Sequence, residues 1–140
     1  LLNDYKIFDT PSLVHPNVSL NHVEVGEGNI IFANCKLCAA VRIGDFNIFY
    51  TVIVNHETVI GNYNLIATCT IGSRCKIGDF NLLGNGSVIA NTAKLGNGNS
   101  ISAGSVVLKN VGDNQSLMGY PAIDMMEFMR ANMVKRKNNA

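Results

Sequence analysis

The sequence predicts an all-β fold, a parallel β-helix of about five coils followed by a short α-helix, and three observations carry that expectation. First, an aliphatic-Gly step followed three residues later by Asn recurs as "VGEGN" from Val25, "IGDFN" from Ile43, "IGNYN" from Ile60, "IGDFN" from Ile77 and "LGNGN" from Leu95, at intervals of 18, 17, 17 and 18 residues. Second, a large aliphatic returns every five or six residues within each interval. Third, Asn29, Asn47, Asn64, Asn81 and Asn99 fall in one column. A six-residue period matches neither the 3.6 of an amphipathic helix nor the 2.0 of a hairpin series. It matches a coil with three short flat faces, each a strand pairing in parallel with its equivalents above and below.

In chain order, Leu1 to His22 lead in, Val23 to Val111 form the coils, and Gly112 onward leaves the repeat. Three rows of aliphatics are expected to stack inward: Val25, Ile43, Ile60, Ile77 and Leu95; Ile31, Phe49, Ile66, Leu83 and Ile101; Leu37, Val54, Ile71, Ile89 and Val107. Two residues earlier the faces carry smaller groups, among them Cys35, Cys69, Cys75, Ser87, Ala93 and Ser105. Three of the four cysteines thus take small inward positions. The CxxC spacing of Cys35 and Cys38 lacks the second pair or the strand-helix context of a zinc or redox site, so free thiols are expected. The asparagine column reads as a hydrogen-bonded ladder at corners. After Gly112, the spacing of Met125, Met126, Phe128, Met129 and Met133 predicts a short amphipathic helix packing back on the solenoid, with a frayed basic tail.

At 140 residues, with 47% apolar content, 15% charge and a net charge of +1, the chain reads as one globular domain. Lys and Arg are scattered until the last residues, which argues against nucleic acid. No run of 18 apolar residues and no leader pattern is visible, so a cytoplasmic protein with no membrane partner is expected.

Candidate chemistry centres on "TVIVNHETVIGNYN", Thr51 to Asn64. Val54 points inward, so His56, two residues on, faces outward at a corner beside Glu57. The coil is one residue short between Phe49 and Val54, which makes the backbone irregular just before the histidine. An imidazole titrates near neutral pH and suits a general base. A neighbouring carboxylate can hold its tautomer. On the residues alone, His56 stands between a catalytic base and a surface or interface histidine.

The [LIV]-G-x-x-x-x hexapeptides resemble the left-handed β-helix of the hexapeptide-repeat acyltransferases. "LVHPNVSLNHVEVGEG", "VNHETVIGNYN", "SISAGSVVLKNVGDN" and "MGYPA", in that order over about Leu13 to Ala122, resemble the sialic acid O-acetyltransferase and nucleotide-sugar N-acetyltransferase family. The resemblance implies a homotrimer, acetyl-CoA as co-substrate in clefts between subunits, a small-molecule sugar acceptor, and His56 with Glu57 as the catalytic pair. It also implies an N-terminal nucleotide-sugar-binding domain; here about twenty residues precede the repeats. A second histidine found in some members is replaced by Leu65.

On this reading CoA runs along the corner edge Ala39, His56, Ser73, Asn91 and Lys109, about 14 Å from His56 to Lys109 at one strand spacing per coil. Small Ser102, Ala103 and Gly104 admit the pantetheine arm, and Lys109 meets a phosphate unless it is simply a solvated lysine. Gly119, Tyr120, Pro121 and Ala122 lie near the adenine, and amides at Gly72 or Ser73 serve as oxyanion donors. No metal is expected, because of His15, His22 and His56 only the last lies within the repeats, unlike the three-histidine zinc site of γ-type carbonic anhydrases. The threonines form no stacked ice-binding face. A non-catalytic scaffold or an acetyl-CoA-binding fragment is the rival reading.

Overall fold

A computed structural model of the chain describes residues 10–138, with side chains to residue 133. The start of the lead-in and the side chains of the basic tail lie outside the described residues. Strands of two or three residues stack into three parallel sheets that form a solenoid of about six turns. The first sheet runs from Glu24–Val25 to Lys94–Leu95, the second from Leu13–Val14 to Ser116–Met118, and the third from Lys36–Leu37 to Val106–Val107. The register pairs each expected row with itself: Ile43 with Ile60, Phe49 with Ile66, Ile71 with Ile89. The stack runs beyond 23–111 at both ends, because Leu13 pairs with Ile30 and Ser100 with Ser116.

Strands are this short because each side of the triangle holds one inward aliphatic before the chain must turn. Ile31, Phe49, Ile66, Leu83 and Ile101 are at most 1% exposed and fill the axis, with Cys35, Cys69, Cys75, Ser87, Ala93 and Ser105 buried beside them. Most corners turn on a residue in the left-handed region. At the corner between third and first sheets these are His22, Ala40, Glu57, Arg74 and Thr92; between first and second they include Phe46, Tyr63, Phe80 and Gly98; between second and third, Asn34, Thr51, Thr68, Gly86 and Gly104. For a non-glycine residue this costs about 1–2 kcal/mol. Hydrogen bonds along the corner offset it, as when Tyr63 N–H donates to Asp45 O at 2.9 Å. The two short sides turn through Thr51 (φ 49°) and Thr68 (φ 46°) on consecutive coils, so their registers stay matched.

The recurring motif is a five-position device. Asn64 is buried; its Nδ2 donates to Asn47 Oδ1 (2.9 Å) and Gly78 O (2.9 Å), and its Oδ1 accepts Asn81 N–H (2.8 Å). A second ladder lies outside it: Asp79 Oδ1 accepts Asn62 N–H at 2.7 Å, and Asn62 Oδ1 accepts Asp45 N–H at 2.7 Å. The glycine is required because a Cβ at Gly61 would collide with Asp79 Oδ1 and stand 2.8 Å from Gly78 O.

After the last coil, Ile123–Asp124 turns back antiparallel on Leu117 and Met118, and helix α1 (Met125–Asn138) follows. Asp124 Oδ1 caps it by accepting the N–H groups of Met126 (3.0 Å) and Glu127 (3.1 Å). Met125 and Phe128 are half-buried, the latter packing over Gly119 in space a Cβ would take, while Met126, Met129 and Met133 are exposed. The helix therefore packs back through part of its expected apolar face.

Candidate active site

His56 and Glu57 occupy the corner between Ile53–Val54 and Val59–Ile60. Their backbone is held from both neighbouring coils: Glu57 N–H donates to Ala39 O (3.2 Å), and His56 O accepts Arg74 N–H (2.9 Å). On one flank Asn55 Nδ2 donates to Ile71 O (2.9 Å); on the other, buried Thr58 donates Oγ1–H to Gly72 O (2.8 Å) and accepts Cys75 N–H (3.1 Å). Both side chains of the pair are exposed, as expected of an outward corner. Among the described residues no hydrogen bond or ion pair joins the His56 and Glu57 side chains. Glu57 turns this corner at a left-handed φ of 59°.

The corner-to-corner hydrogen bonds Glu57 N–H to Ala39 O, Arg74 N–H to His56 O and Thr92 N–H to Ser73 O put Ala39, His56 and Ser73 on one edge. It also carries Arg74, which sequence reasoning passed over. Arg74 follows Glu57 at the same corner position one coil on, with φ 55°, and the 17-residue interval contained that signal.

Two expectations need correction. The N–H of Gly72 already donates to Ile89 O (2.8 Å) and that of Ser73 to Asn91 Oδ1 (2.8 Å), so neither is free to receive an oxyanion. Gly72 is glycine because Asn91 fills the space of a Cβ. Ser102, Ala103 and Gly104 lie between Ser100–Ile101 and Val106–Val107, at the corner between second and third sheets, not on the His56 edge. Within one chain the whole third sheet separates them from His56. An added Cβ at Gly104 would meet nothing within 4 Å, so that corner does offer open approach.

Lys109 and Ala122 come together in a cleft of about 250 Å³ at the C-terminal mouth of the solenoid, lined also by Gln115, Leu117, Asp124 and Glu127. The Gly119–Ala122 segment closes over the third sheet: Val106 N–H donates to Gly119 O (2.9 Å) and Ala122 N–H to Val106 O (2.8 Å). Tyr120 and Pro121 are exposed. Burial pushes the Cys69 thiol up to about 11 and raises Cys35 and Cys75, so these thiols stay protonated core groups; Cys38 is half-buried. Among the described residues no group of His, Cys, Asp or Glu is arranged to hold a metal, and no helix is long and apolar enough to cross a membrane.

Coil and ladder together define a parallel β-helix. The family model for bacterial transferase hexapeptide (six repeats) matches residues 74–109. No curated protein sequence matches the chain. Among solved structures, the acetyltransferase domain of PglB from Neisseria gonorrhoeae in complex with acetyl coenzyme A superposes with a TM-score of 0.81 at 24% identity, over 85% of this chain and 60% of that one. A histidine variant of perosamine N-acetyltransferase from Caulobacter crescentus, in complex with CoA and GDP-perosamine, gives 0.76 at 24% identity over 84% and 57%. AntD, an N-acyltransferase from Bacillus cereus in complex with dTDP and 3-hydroxybutyryl-CoA, gives 0.76 at 14% over 91% and 88%. The chain spans less than two thirds of the first two, and at these identities the likeness establishes the fold. The structures it resembles are the kind the sequence motifs pointed to.

Proposed function

We propose that this chain is the catalytic β-helix of an acetyltransferase that moves an acetyl group from acetyl-CoA to a hydroxyl or amine of a sugar, with His56 as general base. The observation that carries the reading is an exposed imidazole with no structural task, on a corner whose backbone is fixed by hydrogen bonds from the coils on both sides. His56 takes the proton from the acceptor as its oxygen or nitrogen attacks the thioester carbonyl, and returns it to the departing thiolate. Glu57 stabilises the imidazolium formed in between. Similar structures hold acetyl coenzyme A, or CoA with a nucleotide-linked sugar, which supports the donor and the acceptor class.

The site residues belong to two corners, and this favours a homotrimer. A neighbouring copy that brings its Ser102–Gly104 corner to His56 would line the donor channel from the far side, and of that corner's amides the Ala103 N–H, unlike those of Ser102 and Gly104, donates to no acceptor among the described residues and would serve as the oxyanion donor. The outer face of the second sheet supports such packing, since Leu13, Leu65 and Leu82 are exposed on it. Lys109 and the cleft beside Ala122 then lie about three coils, roughly 14 Å, along the edge from His56, within reach of a pantetheine arm. The compartment proposed is the cytoplasm.

The test is CoA release from acetyl-CoA against amino sugars, sialic acids and nucleotide-linked amino sugars, for the intact chain and His56→Ala, with acetyl-CoA binding measured on both. A fall in turnover of about 10²–10⁴-fold with binding retained fits a general base. Equal turnover in the two removes His56 from the mechanism, and no binding in either ends the transferase reading in favour of a scaffold.

A further inference from the structure

The corner between the first and second sheets carries an aromatic column that neither the core nor the His56 edge uses. Phe46, Tyr63 and Phe80 stack there with ring centroids 5.3 and 5.0 Å apart and planes within 7°. All three sit in the left-handed region, at φ 56° to 57°. The Phe46 ring leans toward the coil below, filling the space a Cβ at Gly28 would take, and the near-parallel stacking carries Tyr63 and Phe80 in line with it. Exposure rises along the column from 41% to 51% to 64%, so the outermost ring, Phe80, presents its face to solvent. The next rung is Gly98, which places no side chain over it, and the rung after that is Asn114, whose amide reaches back toward Gly98. One rung of the stack is therefore missing, between an open aromatic face and an amide.

We propose that this gap is a binding site for a pyranose ring. Rungs recur once per coil, so omitting one leaves about 9.6 Å between its walls, two strand spacings. A flat base touching both walls needs about 7 Å, two contacts of ~3.5 Å, and would be loose; a puckered saturated ring with axial hydrogens is thicker and fits. The polarised C–H groups on one side of a pyranose carry positive charge to the negative face of Phe80. The rim suits hydroxyls. Among the described residues the amide nitrogens of Asn97 and Asn114 donate no hydrogen bond, and Asp79 and Asp113 are bonded through Oδ1 alone, leaving Oδ2 to accept. The site lies on a different corner from His56 and does not depend on the transferase reading.

The test is saturation-transfer NMR on the full chain, with methyl β-glucopyranoside and N-acetylglucosamine as probes and adenosine as the flat comparator. The expected result is transfer strongest at ring C–H protons on one side of the sugar, at least fivefold weaker in Phe80→Ala, and abolished in Gly98→Phe. The latter fills the gap with the side chain that Phe46 and Phe80 already place at the same φ, and Asn114 has only to swing aside. Unchanged transfer in His56→Ala would separate this site from the proposed active site. Thermal midpoints of the variants within a few degrees of the parent establish folding. No transfer to either sugar, equal transfer in Gly98→Phe, or preference for adenosine would each overturn the proposal.

Discussion

Asn64→Ala tests whether the asparagine ladder holds the coils together. Asn64 is 1% exposed, and among the described residues its side chain is the only hydrogen-bond partner of three groups on the next coil: Gly78 O, Asn81 N–H and Asn81 Nδ2. Asn47 Oδ1 keeps a donor, because it also accepts the Asn64 backbone N–H at 2.8 Å. Leaving a buried polar group unpaired costs about 1–3 kcal/mol; three groups at the lower half of that range give about 3–6 kcal/mol. That is a large part of the ~5–15 kcal/mol that separates folded from unfolded in an ordinary domain. Urea unfolding is the assay, and with a slope of about 2 kcal/mol/M the midpoint should fall by roughly 1.5–3 M. Asn62→Ala is the control. Its Oδ1 accepts one N–H, from Asp45, at a half-buried position where water can take over, so about 1 kcal/mol is expected. A loss below about 1 kcal/mol for Asn64→Ala, or equal losses for the two, would refute the reasoning.

Gly61→Ala should destabilise by about 2 kcal/mol or more, read as a lowered thermal midpoint, because the new methyl meets Asp79 Oδ1 and the Gly78 backbone. A disulfide-exchange reagent at pH 8 should label Cys38 alone in the folded chain and all four thiols in urea, since Cys35, Cys69 and Cys75 are buried and held protonated. The raised Cys69 thiol contributes stability that is complete below its ordinary 9.0 and lost as pH rises through about 11, so the urea midpoint should decline across that window and decline less in Cys69→Ala. Arg74→Ala, which removes the cation one coil from Glu57 and leaves the solenoid hydrogen bonds intact, should keep the fold by circular dichroism while lowering turnover in the CoA-release assay. Unchanged turnover would make Arg74 a solvated surface group.

Much of the fold was legible because a solenoid writes its geometry as a period. The inward rows, the small inward cysteines and the inner ladder follow from which residue recurs at which step. The outer ladder of Asp45, Asn62, Asp79, Asn97 and Asp113 was less visible. Gly-Asp and Gly-Asn look like ordinary turn formers, and only the coil below shows that Oδ1 is aimed at a backbone N–H. The misplacement of Ser102–Gly104 has a similar origin. Those residues follow Ile101, in the second row, whereas His56 follows Val54, in the third, so the rows themselves separate the two corners. Treating outward corners as one edge merged what a triangular section keeps apart. The availability of the Gly72 and Ser73 amides could not be read from sequence, because it depends on which neighbouring coil already accepts them.

The turn at the C-terminal end has a consequence for self-assembly. A stack of parallel strands is a template, and its last rung would offer unpaired N–H and C=O groups to any strand that arrived. Here Ile123–Asp124 runs antiparallel along Leu117 and Met118, and Gly119 and Ala122 satisfy Val106. The polarity of the second sheet is reversed at its terminal layer, so a further strand arriving there would not continue the parallel register. A cap of this kind works against end-to-end growth of a fold that shares its strand spacing with amyloid.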